Sequence, residues 1–255
     1  MTDVTIELLK AHFRQLRLPT MGQEFEKLAR DAAAGNQTFV QFLLSLTELE
    51  LAARAANAVG TRIKNADFPV EKDFDTFDFT AVPSLSKPKV LELARGEWIE
   101  QRSNICLVGS PGTGKTHVAT ALGLAACRQG QRVRFVTAAK LVTRLEEAQK
   151  QYQLDRLLAQ LDRADLLICD ELGYLSLGRG GAELLFRVFA DRYERRSLLV
   201  TSNLPFSEWG QIFQGERMTA ALLDRLTHHC HILEMNGESY RFRESMKAKK
   251  GRKAE

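Results

Sequence analysis

Gly109-Ser110-Pro111-Gly112-Thr113-Gly114-Lys115-Thr116 fills every fixed position of the pattern G-x-x-x-x-G-K-T. The apolar run Ile105-Cys106-Leu107-Val108 precedes it, and an amphipathic stretch from about Lys115 to Arg128 follows. Strand, glycine-rich loop and helix in that order turn successive backbone N–H groups inward at the positive end of a helix dipole, which suits phosphate. Lys115 then reaches the β- and γ-phosphates of a nucleotide, and the Thr116 hydroxyl becomes a ligand for Mg²⁺. Candidate nucleotide contacts are the eight loop residues and His117.

Outward from this loop, short apolar strands alternate with helical segments. Strands are expected at 104–108, 132–137, 165–169, 197–202 and 230–235, with a short one at 239–243. Helices are expected at 114–129, 138–162, 181–195, 206–213 and 217–228. Short apolar strands between helices give an α/β fold, a parallel five-stranded sheet covered on both faces.

The strand Leu166-Leu167-Ile168-Cys169 runs into Asp170 and Glu171. Ligands of open parallel sheets collect beyond the carboxyl ends of strands, so an acid there is placed to hold Mg²⁺ through water. The neighbouring glutamate is placed to polarise the water that attacks the γ-phosphate. Such a glutamate favours hydrolysis of ATP over transfer to an organic acceptor, where water must be kept out. Asn203, after Ser197–Ser202, is a second candidate for holding that water; the other reading is a turn residue before Pro205.

Toward the N-terminus, residues 1–65 have helical spacing. Leu8, Leu9, Phe13 and Leu16 share one face, Phe25 and Leu28 another, and Phe39, Phe42, Leu43, Leu46, Leu49 and Ala53 a third. Pro19 separates the first two helices, and Gly35-Asn36 end the second. Residues 66–85 alternate aromatic and acidic side chains and read as an extended linker that buries some of its rings on the following domain. A helix from Ser86 to Gln101 opens the domain 86–240, and 241–255 form a tail.

Of 255 residues, 44% are hydrophobic and 27% charged, an ordinary globular balance. No apolar run reaches membrane-spanning length and no signal peptide is evident, so the expected location is cytoplasmic, without membrane contact. The four cysteines lack C-x-x-C spacing and read as core residues in a reducing compartment. His228, His229, Cys230 and His231 are adjacent and diverge, and no distant partner cluster is expected, which argues against a metal site there. Net charge is +4, but from Tyr240 to Glu255 seven basic residues face two acidic ones. That excess suits either a nucleic-acid-binding arm or a solvated end.

The loop, Ile168-Cys169-Asp170-Glu171, Thr201-Ser202-Asn203 and Ala221-Leu222-Leu223-Asp224-Arg225-Leu226, taken in order, resemble the AAA+ ATPases. Asp170-Glu171-Leu172-Gly173-Tyr174 running into Arg179 to Phe186, the stretch Gly215 to Leu226 and the linker around Phe74 to Phe79 are similar to the IstB family of insertion-sequence helper ATPases, relatives of helicase loaders. The resemblance implies an AAA+ three-layer fold preceded by a small helical domain. Its implied activity is an ATP- and Mg²⁺-dependent ATPase that self-associates on double-stranded DNA and assists a transposase in target choice and integration. A helicase loader is the alternative, and a small-molecule kinase on the same scaffold is a third. It also implies that Arg225 is the arginine finger acting on a neighbouring subunit's ATP, with Arg217 as rival and pairing of Arg225 to Asp224 or Glu216 as the structural alternative. Lys140, Arg144, Lys150 and Arg156, in the insertion 138–162, become candidates for DNA phosphate contact, though Glu146 and Glu147 lie among them. The C-terminal helical lid of many AAA+ proteins is expected to be absent or truncated, with Arg241 or Arg243 in a related role.

Overall fold

The computed structural model describes residues 3–174, 177–213, 215–240 and 242. The chain divides into two compact units, Met1–Thr61 and Arg62–Glu255.

The first unit holds α1 (Asp3–Gln15), α2 (Pro19–Ala34) and most of α3 (Phe39–Ala66). Pro19 occupies the first turn of α2, where its missing N–H is no loss. Phe13, Met21, Phe25 and Leu46 form the core, with the Phe13 and Phe25 rings 5.5 Å apart. The expected apolar side of α3 is only partly buried. Leu46 is covered and Phe42 packs on the core, whereas Phe39 is 92% exposed and Leu43 and Leu49 are open. Periodicity marks a face but not how much of it a two-helix partner can cover.

In the second unit the linker makes a single 3-10 turn, Phe79–Ala81, and packs Phe68, Phe74, Phe77 and Phe79 on the core. The helix expected over 86–101 is two, α4 (Lys87–Leu93) and α5 (Glu97–Glu100). Gly96, at φ 80°, breaks the run in a conformation that glycine adopts without steric cost. Next come β1 (Asn104–Val108), α6 (Lys115–Arg128), β2 (Val133–Thr137), α7 (Ala138–Lys150) and α8 (Leu154–Asp162). β3 (Leu166–Leu172), α9 (Arg179–Arg192) and β4 (Ser197–Ser202) follow. A 3-10 turn at Phe206–Glu208 leads to α10 (Gly210–Phe213), α11 (Glu216–Thr227) and β5 (Cys230–Glu234). β3 ends three residues beyond its expected end, so Asp170 and Glu171 lie within the strand rather than after it. Tyr240 and Phe242 are helical, not the strand expected at 239–243. Arg241, Arg243 and the rest of the basic tail lie outside the described residues.

The five strands are parallel, in the order β2–β3–β4–β1–β5. Alternate residues feed separate cores on the two faces. Cys106, Leu167, Cys169, Leu198 and Val200 join α7, α9, α10 and α11. Ile105, Leu107, Leu166, Ile168 and Leu199 join α4, α5, α6 and the linker. This two-residue period with both faces covered is why the inner strands are mostly apolar, while the edge strands β2 and β5 carry Arg134, His231 and Glu234. Cys106, Cys127 and Cys169 are buried in these cores, and burial pushes the Cys127 thiol up to about 11. Among the described residues no helix is long and apolar enough to cross a membrane.

Candidate nucleotide site

The loop after β1 turns on glycines that no other residue replaces cheaply. Gly109, Gly112 and Gly114 have φ of 150°, 79° and 95°. A Cβ on Gly109 would lie 2.2 Å from the Met235 carbonyl oxygen, and one on Gly114 would lie 2.8 Å from the Phe77 ring. The loop is therefore pressed between the segment after β5 and the linker. Tyr240 N–H donates to the Gly112 carbonyl at 3.0 Å.

The loop borders a cavity of about 750 Å³. A volume of this size accommodates a nucleotide. Lys115, Thr116, Asp170, Glu171 and Asn203 all line it, together with Pro111, Gly112, Thr113, Gly114 and His117. Phe77 and Val82 of the linker and Tyr240 supply apolar walls. Lys115 Nζ donates to the Gly109 and Ser110 carbonyls at 2.7 and 2.8 Å, so the lysine is already curled over the loop. His117 faces the linker: its Nε2 lies 2.7 Å from the Asp73 carbonyl oxygen, and its ring meets Phe77 edge-on at 5.1 Å.

β4 lies between the loop-bearing β1 and the acid-bearing β3, so the two halves of the site meet across it. Asp170 is 2% exposed. Thr116 Oγ1 lies 3.1 and 3.0 Å from its two carboxylate oxygens. Thr201 Oγ1, on β4, donates to Asp170 Oδ1 at 2.6 Å and accepts the Glu171 N–H at 2.9 Å. Burial raises the Asp170 carboxyl above its ordinary range, against the opposing effects of the Thr201 and Thr116 hydroxyls and Lys115. Thr116 and Asp170 offer hard oxygen donors on one side of the cavity, a set that fits Mg²⁺. Glu171 is exposed, at φ 60°. In the sequence Thr201 stands only as part of Thr201-Ser202-Asn203, with no role of its own. Its local signal is a hydroxyl after the apolar run Leu198-Leu199-Val200, and the buried Ser197 and Ser202 of the same strand carry one too.

Arg225 and Arg217 do not line the cavity. Among the described residues neither Asp224 nor Glu216 pairs with Arg225; its guanidinium sits 5.6 Å over the Phe186 ring. Arg217 is exposed on α11. Arg144 and Arg156 border a polar cavity between α7 and α8 that Glu147 shares, and Lys140 lies 3.9 Å from Asp67. At the opposite end of the strands, His228 and His229 do have a distant companion. Glu194 brings its carboxylate to them, the three ligand atoms lying within 4.8 Å of one another and all exposed.

Three relatives and two solved structures are similar to this chain. The chain is 42% identical over 238 residues to a Sinorhizobium fredii protein named for an insertion sequence and for ATP binding, covering 93% of this chain and 80% of that one. It is 39% identical to the IS5376 ATP-binding protein of Geobacillus stearothermophilus, covering 93% and 95% of the two chains. It is 38% identical to that of IS21 from Pseudomonas aeruginosa, covering 94% and 91%. The fold matches AMPPCP-bound DnaA of Aquifex aeolicus with a TM-score of 0.55 at 21% identity, covering 66% of this chain and 51% of that one. It matches DnaI at 0.53 and 17%, covering 66% and 89%. The fold of the matched part is the one DnaA and DnaI share with it. Residues 11–248 match the family described as IstB-like ATP binding protein, and the chain belongs to that family.

Proposed function

We propose that this chain is an Mg²⁺-dependent ATPase that assembles on double-stranded DNA and assists the transposase of an insertion element in choosing and joining its target. The observation that carries the ATPase reading is the convergence of Lys115, Thr116, Asp170, Glu171 and Asn203 on one cavity behind a glycine loop.

Lys115 leaves its loop carbonyls for the β- and γ-phosphates, and the loop N–H groups cradle them. Thr116, and Asp170 through water, would hold Mg²⁺, which supplies charge neutralisation on the phosphates. Glu171 accepts a proton from the water whose oxygen bonds to the γ-phosphorus, while the bond to the departing ADP oxygen breaks. Asn203 orients that water. Arg225 lies outside the cavity of its own protomer, which supports action on the ATP of a neighbouring copy. A finger supplied in trans couples nucleotide state to assembly.

The insertion-sequence names of the relatives support the transposase as partner. DNA contact through Lys140, Arg144, Lys150, Arg156 and the tail would be to phosphates, hence weakly sequence-selective and strongly salt-dependent. Turnover measurements test the ATPase reading. Glu171→Gln should retain ATP and lose hydrolysis by about 10²- to 10⁴-fold; full turnover in that variant refutes the mechanism. Electron microscopy with and without an ATP analogue and duplex DNA tests assembly. Pull-down of a replicative helicase in place of an integrase-type transposase would favour a loader instead.

A further inference from the structure

Asp170 and Glu171 are neighbours in a strand, and neighbours in a strand point to opposite faces of the sheet. Yet both line the nucleotide cavity. The register explains how. Cys169 pairs with Val200, but the next pair is Leu172 with Ser202. Two residues of β3, Asp170 and Glu171, therefore stand opposite one residue of β4, Thr201. This is a β-bulge, a rare feature between parallel strands.

The burial pattern records the same shift. Leu166 and Ile168 feed one core, and Leu167 and Cys169 the other. In a regular strand Leu172 would follow Ile168. Instead it joins Cys169, on the opposite face. Between them Glu171 takes up the extra residue at φ 60°, a region sparsely populated by non-glycine residues. Its exposed side chain is thereby freed from the sheet face.

A bulge leaves a ladder N–H without its strand partner. Here the Glu171 N–H is met by Thr201 Oγ1 at 2.9 Å, and the same hydroxyl donates to Asp170 Oδ1 at 2.6 Å. Thr201 is 1% exposed, so water has little access to replace it. One buried hydroxyl thus uses its donor on one carboxylate and an acceptor site on the backbone of the next residue.

We propose that Thr201 is a positioning residue for hydrolysis: it pins the β3 bulge and so sets the aim of Glu171 relative to Asp170. The assignment rests on the ATPase reading. Without the hydroxyl, the extra residue has no anchor, and Glu171 swings away from the line of attack. Misplacement by about 1 Å costs on the order of 10²-fold in rate. Thr201 lines the cavity and shares Asp170 with Thr116, but among the described residues it makes no hydrogen bond to the phosphate loop or Lys115, so nucleotide affinity should change far less than turnover.

Thr201→Val keeps the shape and removes the hydroxyl; Thr201→Ser keeps the hydroxyl. Steady-state ATP turnover and the Kd of a fluorescent ATP analogue are measured for both, beside the wild type and Glu171→Gln. The expected result is a fall of about 10²-fold in kcat for valine, with Kd within about threefold, and serine within about threefold of wild type on both. Should the valine variant not fold, Thr201→Cys, with its weak thiol donor, replaces it. Valine or cysteine turnover within about twofold of wild type overturns the assignment, as does serine as slow as valine, or a kcat loss matched by an equal loss of affinity. Wild-type chain that never hydrolyses ATP refutes the underlying reading instead. In that case a crystal structure of Thr201→Val decides the bulge itself, which is refuted if Glu171 keeps its left-handed backbone.

Discussion

Replacing Glu50 by alanine should destabilise the N-terminal unit while sparing the nucleotide site. Glu50 lies on α3, 3% exposed, and its Oε2 accepts the backbone N–H groups of Thr20 and Met21 at 2.9 and 3.0 Å. These belong to the first turn of α2, where Leu18 offers no capping side chain and Pro19 has no N–H. The following donor, Gly22 N–H, is satisfied by the Leu18 carbonyl. Glu50 thus caps α2 from another helix, and its Oε1 accepts Arg54 Nε at 2.9 Å. Hydrogen bonds to a charged acceptor contribute about 1.5–3 kcal/mol each, and truncation strands two backbone donors. Because Arg54 is half exposed, its pairing adds little. The expected loss is about 3–5 kcal/mol, equivalent to more than about 10 °C in the Tm of a unit this small. Burial raises the Glu50 carboxyl, but the Met21 and Thr20 amides and Arg54 more than offset it, so the net shift is downward. A lowered folded pKa means that this stability is present above the ordinary glutamate range and is lost as pH falls through the folded value. Hydrogen exchange at Thr20 and Met21, with thermal unfolding at neutral and acid pH, reads both effects. Unchanged protection at those two amides in Glu50→Ala would refute the capping argument.

Three further outcomes are expected. Gly123→Val should destabilise the second unit by about 1–3 kcal/mol in denaturant unfolding, because even a Cβ would lie 2.7 Å from the Phe68 ring and 2.8 Å from Ile168 Cδ1. Arg192→Met should cost at least about 1–3 kcal/mol: its guanidinium, whose pKa burial lowers to about 10, donates to the carbonyls of Leu161, Ala164 and Ser197, and methionine removes all three bonds while Leu161 keeps the Ala164 N–H. Arg225→Ala should abolish turnover alone, yet regain part of it when mixed with Glu171→Gln chains, since each variant supplies what its neighbour lacks; ATPase assays of the mixture that stay at background would exclude a finger in trans.

The phosphate loop, the order of strands and helices and the parallel sheet were legible from residues 104 to 235 alone. Their signals are local: a loop of fixed spacing, apolar runs of strand length, helical periodicity. Lys115, Thr116, Asp170, Glu171 and Asn203 could be named because each sits at the end of an element that such signals define. The break at Gly96 was present as a residue but not as a break, since a glycine inside an apolar period is tolerated until packing selects its left-handed conformation.

The remaining features depend on which residues from distant segments become neighbours. Thr201 meets Asp170 and Glu171 only because β4 lies between β1 and β3 and because one residue is looped out of the β3 register. Glu50 caps a helix thirty positions away, and Glu194 joins two histidines across the end of the sheet. The chain itself specified which groups can bind phosphate and move a proton, since that follows from residue type and local spacing. Tertiary packing alone decided how the two carboxylates are aimed, because strand register is set by burial on both faces at once and is written in no single segment.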